Sequence, residues 1–250
     1  MAIDLNADVG ESFGDWCTDD AAILRLVTSA SVACGGHCGD ATTMRRTVDL
    51  AVENGVSVGA HVSYADLEGF GRRFVDLAPD DLADLVAEQI GALHDVATAA
   101  GTRVRYVKPH GALYNTVVRH TAQAEAVVRG IGRCDLDLAV VALPGGELAR
   151  LAAEAGVRVV GEAFLDRAYG DDATLVPRGE PGAVLHDTGE IASRAVDLSL
   201  RGTVVAQSGV PLAVDAQTLC LHGDTDGAAQ MLAEVRRALQ AAGVEVRSFA

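Results

Sequence analysis

Short apolar runs alternate with amphipathic helical stretches along the whole chain, and this alternation limits the fold more than any other feature. Strand-length runs occur at Ile3–Leu5, Ser31–Cys34, Val56–Ala60, Val104–Val107, Leu138–Ala142, Val157–Gly161 and Thr218–Leu221. Helical patterns cover Ala21–Val27, Ala41–Glu53, Asp80–Ala100, Thr121–Gly130, Gly145–Ala155, Thr188–Leu200 and Ala228–Ala241. Asp19 and Asp20 suit a helix N-cap, and Pro79 suits a first helical turn. Thr203–Ala206, Leu212–Val214 and Val244–Phe249 are weaker strand candidates. Some seven repeated βα units imply parallel strands covered by helices. The expected fold is therefore α/β: one (β/α) barrel of about seven strands, with residues 1–250 as a single domain. An open doubly wound sheet is the alternative, weakened because no Gly-x-Gly-x-x-Gly follows the first strand. No Walker A sequence is present either.

Composition narrows the function classes. A net charge of −15 argues against nucleic acid and anionic membrane surfaces, which select basic patches. The five Cys are odd in number and scattered, which fits a reducing cytoplasm better than a disulfide framework. No targeting segment or bilayer-length apolar run is seen, so a cytoplasmic protein is expected.

Ligands of βα proteins bind beyond the carboxyl ends of the strands, so the residues leaving each strand matter most. They are Asn6, Asp8 and Glu11 after the first strand, His37 and Asp40 after the second, and His61, Ser63, Tyr64 and Asp66 after the third. Lys108, His110, Tyr114 and Asn115 follow the fourth; Glu162, Asp166, Arg167 and Tyr169 follow the sixth; His222 and Asp224 follow the last major strand. Such a concentration of polar groups on one rim points to a site.

Lys108 is the only lysine, against 19 arginines. Arg keeps its charge permanently, whereas burial can lower a lysine pKa and make it a proton donor or a nucleophile. The plain alternative is a surface lysine. Asp8, His37 and His61 form a mixed nitrogen and oxygen set suited to Zn, Mn, Fe or Ni; the same groups could instead hydrogen-bond a substrate without metal. Cys38 beside His37 could join a thiophilic site or simply pack. Arg72, Arg73 and Arg167 could clamp a carboxylate or phosphate, or pair on an acidic surface. Gly35-Gly36 and Gly69/Gly71 could bring backbone amides to an anion, and Trp16 could line the pocket or pack in the core.

Seven ordered blocks together resemble one family. They are Asp4-Leu-Asn-Ala-Asp-Val-Gly-Glu-Ser-Phe-Gly14, Ala33-Cys-Gly-Gly-His-Cys-Gly-Asp40, Gly59-Ala-His-Val-Ser-Tyr64, Gly69-Phe-Gly-Arg-Arg73, Tyr106-Val-Lys-Pro-His-Gly-Ala-Leu-Tyr-Asn115, Glu162-Ala-Phe-Leu-Asp-Arg-Ala-Tyr169 and Cys220-Leu-His-Gly-Asp224. This set resembles the LamB/YcsF family over essentially the whole chain. The resemblance implies a barrel similar to the glycoside hydrolase/deacetylase barrel. It also implies a component of an ATP-dependent 5-oxoprolinase, which opens 5-oxo-L-proline to L-glutamate together with subunits B and C. ATP is then expected to act through those partners, on the lactam oxygen. A divalent metal and a homo-oligomer are left open. The chain departs from the family pattern at Gly36, Cys38 and Ala41, where Phe, Ala and Pro are usual, and at Val62 and Ala65, where Pro is usual.

On this reading Asp8 with His37 or His61 activates water, with or without a metal. Lys108 or His110 stabilises the oxyanion or phosphate, or donates the proton. Arg73 or Arg167 holds the carboxylate or phosphate. Asn6, Glu11, Tyr114, Asn115, Glu162, Asp166, His222 and Asp224 complete the substrate site. Three competitors remain: a stand-alone metal-dependent deacetylase, a Schiff-base lyase using Lys108, and a non-catalytic subunit.

Overall fold

The computed structural model describes residues 1–12 and 18–250; Trp16 and Cys17 lie outside the described residues. In chain order the strands are β1 (Ala2–Val9), β2 (Ser29–Ala33), β3 (Ser57–Val62), β4 (Val104–Pro109), β5 (Ala139–Ala142), β6 (Val159–Phe164), β7 (Thr203–Val205), β8 (Pro211–Ala213), β9 (Thr218–Cys220) and β10 (Glu245–Val246). Seven of them, β1 to β6 and β9, form a parallel barrel. They pair in chain order, and β9 closes the ring against both β6 and β1. Those two pairings exclude the open doubly wound sheet. The short β10 extends the sheet beside the start of β1.

The helices cover the outside: α1 (Asp20–Leu24), α2 (Ala41–Glu53), α3 (Pro79–Ala99), α4 (Gly111–Thr116), α5 (Thr121–Gly132), α6 (Glu147–Glu154), α7 (Thr188–Arg201) and α8 (Ala228–Ala241). Local chemistry sets their ends. The Asp40 carboxylate accepts from Thr43 N at the start of α2 (2.7 Å), and Asp187 caps α7 through Glu190 N (2.8 Å). Pro79 opens α3, where a missing N–H costs nothing. Buried Met44, Val48 and Ala51 turn α2 onto the barrel. Among the described residues, no helix is long and apolar enough to cross a membrane.

Several expectations need correction. The weak strand candidates β7 and β8 pair antiparallel as a separate ribbon rather than as barrel strands. The first helix stops at Leu24, and the last strand is only two residues long. Helix α4 is an addition to the expected elements. It starts at Gly111 with no side-chain cap, so the sequence carries no start signal for it. β1 and β4 run farther than their apolar runs, because alternate side chains face a polar barrel interior. Asp4, Asn6 and Asp8 on β1 bond across that interior with Thr218, Glu162 and Lys108. Lower in the barrel, Tyr106 needs the space beside Gly59, where a Cβ would overlap the ring.

Candidate functional site

Lys108 lies at the centre of the polar interior and is only 1% exposed, so the surface reading falls. Its Nζ donates to Asp8 Oδ1 (2.9 Å), contacts Glu162 Oε1 (2.8 Å), donates to Asn6 Oδ1 (3.2 Å) and lies 3.1 Å from Cys220 Sγ. Burial opposes the charge, but Asp8 and Glu162 outweigh it and hold the ammonium well above the usual lysine range. The expected lowering is therefore reversed, because carboxylates line the cage. A permanently charged lysine is a weak nucleophile, which counts against the Schiff-base reading. In return, His61 and Lys108 hold Asp8 well below the usual carboxylate range despite its burial.

Above Lys108, Glu11, His37, His61 and His110 gather their ligand atoms within 4.8 Å of one another, all buried. Glu11 Oε1 lies 2.8 Å from His37 Nε2, 3.4 Å from His110 Nδ1 and 3.8 Å from His61 Nε2. His37 and His110 stack with centroids 3.6 Å apart. Gly71 makes room for them: its φ is +64°, and a Cβ there would lie 2.8 Å from both residues.

The hydrogen bonds assign the tautomers. His61 Nδ1 donates to the Lys108 carbonyl (3.1 Å), and His110 Nε2 donates to the Phe70 carbonyl (2.9 Å). His37 Nδ1 donates to Ser63 Oγ (3.1 Å), whose own hydrogen goes to the Tyr64 carbonyl. His61 and His110 therefore each point a lone pair inward, while the 2.8 Å contact of His37 Nε2 with Glu11 Oε1 holds a proton. His110 Nδ1 and His61 Nε2 meet at 2.9 Å with no hydrogen of their own to share. Burial lowers both His37 and His110, which favours the neutral rings. Converging lone pairs around a carboxylate, with outer nitrogens tied to oxygen acceptors, are the chemistry of a divalent-cation site or of a shared proton. The sequence trio of Asp8, His37 and His61 is thus revised: Glu11 and His110 join the two histidines. Asp8 Oδ2 lies 3.3 Å from His61 Nε2, but Oδ1 is committed to Lys108. Cys38 stays outside this group, packed with Ala33 and Phe70.

A cavity of about 400 Å³ opens over these groups. Asp8, Glu11, His61, Lys108 and His110 form one wall, and Tyr114, Asn115, Phe164, Arg167, His222 and Asp224 belong to the rest of the lining. Asn6, His37, Glu162 and Asp166 sit behind it. Of the expected arginines, Arg73 does not line the cavity. Its side chain is 60% exposed and pairs with Asp66. Arg72 lines it instead, and so does Arg178; both bond to the Asp224 carboxylate. Arg178 sits in a Pro-Arg-Gly stretch that gave no sequence signal. Arg167 is buried against the Ala183 and Val176 carbonyls, and burial with nearby Arg178 pushes it down to about 10. His222, which lines the same cavity, donates from Nδ1 to Asp166 (2.9 and 3.0 Å), and Asp166 also accepts from Thr225 Oγ1 (2.8 Å).

Comparison with known proteins gives this arrangement relatives. The chain is 57% identical to the A subunit of 5-oxoprolinase from Streptomyces avermitilis, over 99% of this chain and 100% of that protein. It superposes on the lactam utilization protein from Thermus thermophilus with a TM-score of 0.93, at 44% identity and full coverage of both chains. A T48 deacetylase shares the fold at a TM-score of 0.50 and 11% identity, over 98% of this chain and 86% of that one. The LamB/YcsF family model matches residues 3–250. With its whole length and barrel accounted for by that match, the chain belongs to the LamB/YcsF family.

Proposed function

We infer that this chain works as the A subunit of an ATP-dependent 5-oxoprolinase, opening 5-oxo-L-proline to L-glutamate with subunits B and C. The observation that carries the reading is one cavity lined both by members of the buried Glu11, His61 and His110 cluster and by the guanidinium groups of Arg72, Arg167 and Arg178. Full-length identity to relatives of that name supports it. A lactam is a stabilised amide, and phosphorylation of its oxygen makes the ring carbon electrophilic. In this reading the partners carry out that step with ATP, and this chain adds water and opens the ring. The protein is cytoplasmic, and residues 1–250 are one domain.

Glu11 with His61 and His110 takes the proton of the attacking water at the inward nitrogens. Lys108 stays protonated and offsets one of the two negative charges of Asp8 and Glu162 beneath the substrate. Arg72, Arg167 and Arg178 hold its carboxylate and phosphate. Glu11, His37, His61 and His110 would hold a divalent cation, which when bound supplies Lewis acidity and lowers the pKa of water.

The test is glutamate release from 5-oxoproline and ATP by subunits B and C, with and without this chain. Glutamate formed only in its presence supports the reading. ATP turnover without glutamate in both cases refutes it and favours a stand-alone metal-dependent amide hydrolase.

A further inference from the structure

We propose that His222, positioned by Asp166, is the catalytic acid that protonates the ring nitrogen, and that this proton decides whether the bound intermediate goes forward or reverts. The proposal rests on the 5-oxoprolinase reading.

The chemistry sets the requirement. Water adds across the C=N bond of an O-phosphorylated lactam. The water oxygen bonds to the ring carbon, one water proton goes to the Glu11 cluster, and the C=N electron pair moves onto the nitrogen, which keeps the hydrogen it carried in the lactam. The carbon then carries hydroxyl, phosphate and amine. If the C–O bond to phosphate breaks first, the lactam returns and one ATP is wasted. If the C–N bond breaks first, its electron pair goes to nitrogen, the hydroxyl proton leaves, and an acyl phosphate forms. A second water cleaves that to glutamate and phosphate. An amine leaves from carbon only when it is protonated. A second proton station is therefore needed, separate from the cluster that removes protons on the attacking side.

His222 meets that description. It lines the same cavity as His61 and His110 and stacks on Phe164, centroids 5.3 Å apart. The Lys108 ammonium lies 5.3 Å from that same Phe164 ring. Nδ1 of His222 is committed to the fully buried Asp166 carboxylate, so Nε2 is the nitrogen left for the cavity. Burial opposes the Asp166 charge, but His222, Thr225 and Arg178 hold it down at about 2. Asp166 thus stays an acceptor and fixes the ring orientation, so that Nε2 is the atom that delivers the proton. The other charges around His222 are Asp224 with Arg72 and Arg178, together with Asp8 below.

The experiment uses the assembled complex of this chain with subunits B and C, measuring ADP and glutamate together. The intact complex is expected to form one ADP per glutamate. His222→Gln keeps the bond to Asp166 but cannot deliver the proton. Glutamate formation is expected to fall roughly 10²–10⁴-fold, while ADP formation changes less than about 3-fold, so the ADP-to-glutamate ratio rises steeply. Asp166→Asn should shift the ratio the same way, and added imidazole should partly restore the ratio in His222→Ala. An unchanged ratio, a parallel loss of ADP and glutamate, or an effect confined to KM would overturn the proposal. Absence of glutamate from the intact complex would instead remove the activity reading, and this inference with it.

Discussion

Replacing Lys108 by Met removes the ammonium that bridges Asp8 and Glu162 in the barrel interior. The Lys108 contacts with Glu162 and Asp8 are 2.8 and 2.9 Å long. At an effective dielectric of about 20, each such contact is worth about 6 kcal/mol before desolvation. Deleting one partner of a buried pair has a net cost of about 3–5 kcal/mol, mostly from the charge left behind. Two carboxylates are left behind here, so the upper half of that range is expected at pH 8. For a chain of this size that lowers Tm by roughly 8–20 °C. The loss depends on pH with a definite sign. In the intact protein Asp8 is held below its usual range, and its contribution is present above about pH 4 and disappears on acidification. In the variant the stranded carboxylates take up protons, so the variant is least unstable in acid and worsens as pH rises. Chemical unfolding followed by circular dichroism at pH 5 and pH 8 should show the gap between the two proteins narrowing at pH 5. The triple variant Asp8→Asn, Glu162→Gln, Lys108→Met should recover most of the loss. A loss below about 1 kcal/mol at pH 8, or a gap that does not narrow in acid, would refute the charge argument.

The buried cluster should bind one divalent cation per chain after loading with zinc or manganese and desalting, and Glu11→Gln should lower the bound metal measured by elemental analysis. Arg178→Ala should raise KM in the complex roughly 10-fold or more, the scale of a lost charged hydrogen bond of about 1.5–3 kcal/mol, whereas Arg73→Gln should leave kcat/KM within about 3-fold. Asp4 is pushed up to about 6 by burial, against bonds from Thr218, Thr28 and Ser29. Its unfolded value is near 3.9, so its stabilising contribution is full below about pH 4 and is lost as pH rises through about 6, up to about 3 kcal/mol in all. Asp4→Asn should flatten that part of the stability profile in urea titrations between pH 4 and pH 8.

The barrel was legible because seven apolar runs and their helices repeat in order, and parallel strands of that kind need helical cover. Strand ends were less legible for the reason that makes the site. Asn6, Asp8, His61, Lys108 and Glu162 look like loop residues, yet they occupy strand positions facing a polar interior. The period-2 pattern in Asp4-Leu-Asn-Ala-Asp-Val9 carries that information, but an apolar-run criterion cuts it short. Glu11 joins His110 only through the closed barrel, a contact across about a hundred residues that spacing cannot show. Arg178 reaches the cavity from the irregular stretch between β6 and α7, where two isolated bridges, Arg167 with Val184 and Tyr169 with Leu175, replace regular structure. Periodicity is silent there. The placing of Arg72 rather than Arg73 depends on the turn at Phe70 and Gly71, both at positive φ.

The ring of strands is completed by β9, which begins at Thr218 and pairs with a strand that ended more than fifty residues earlier and with the first strand of the chain. A growing chain therefore holds β1 and β6 as two open edges until nearly the whole sequence has left the ribosome. Open edges of apolar parallel strands recruit neighbouring chains. Lys108 adds to the delay, because its cage draws on β1, β6 and β9 together and cannot form around an incomplete sheet. Folding should accordingly be slow and late, dominated by contacts of long sequence separation. Chains ending before residue 218 should accumulate as aggregates rather than as a smaller barrel.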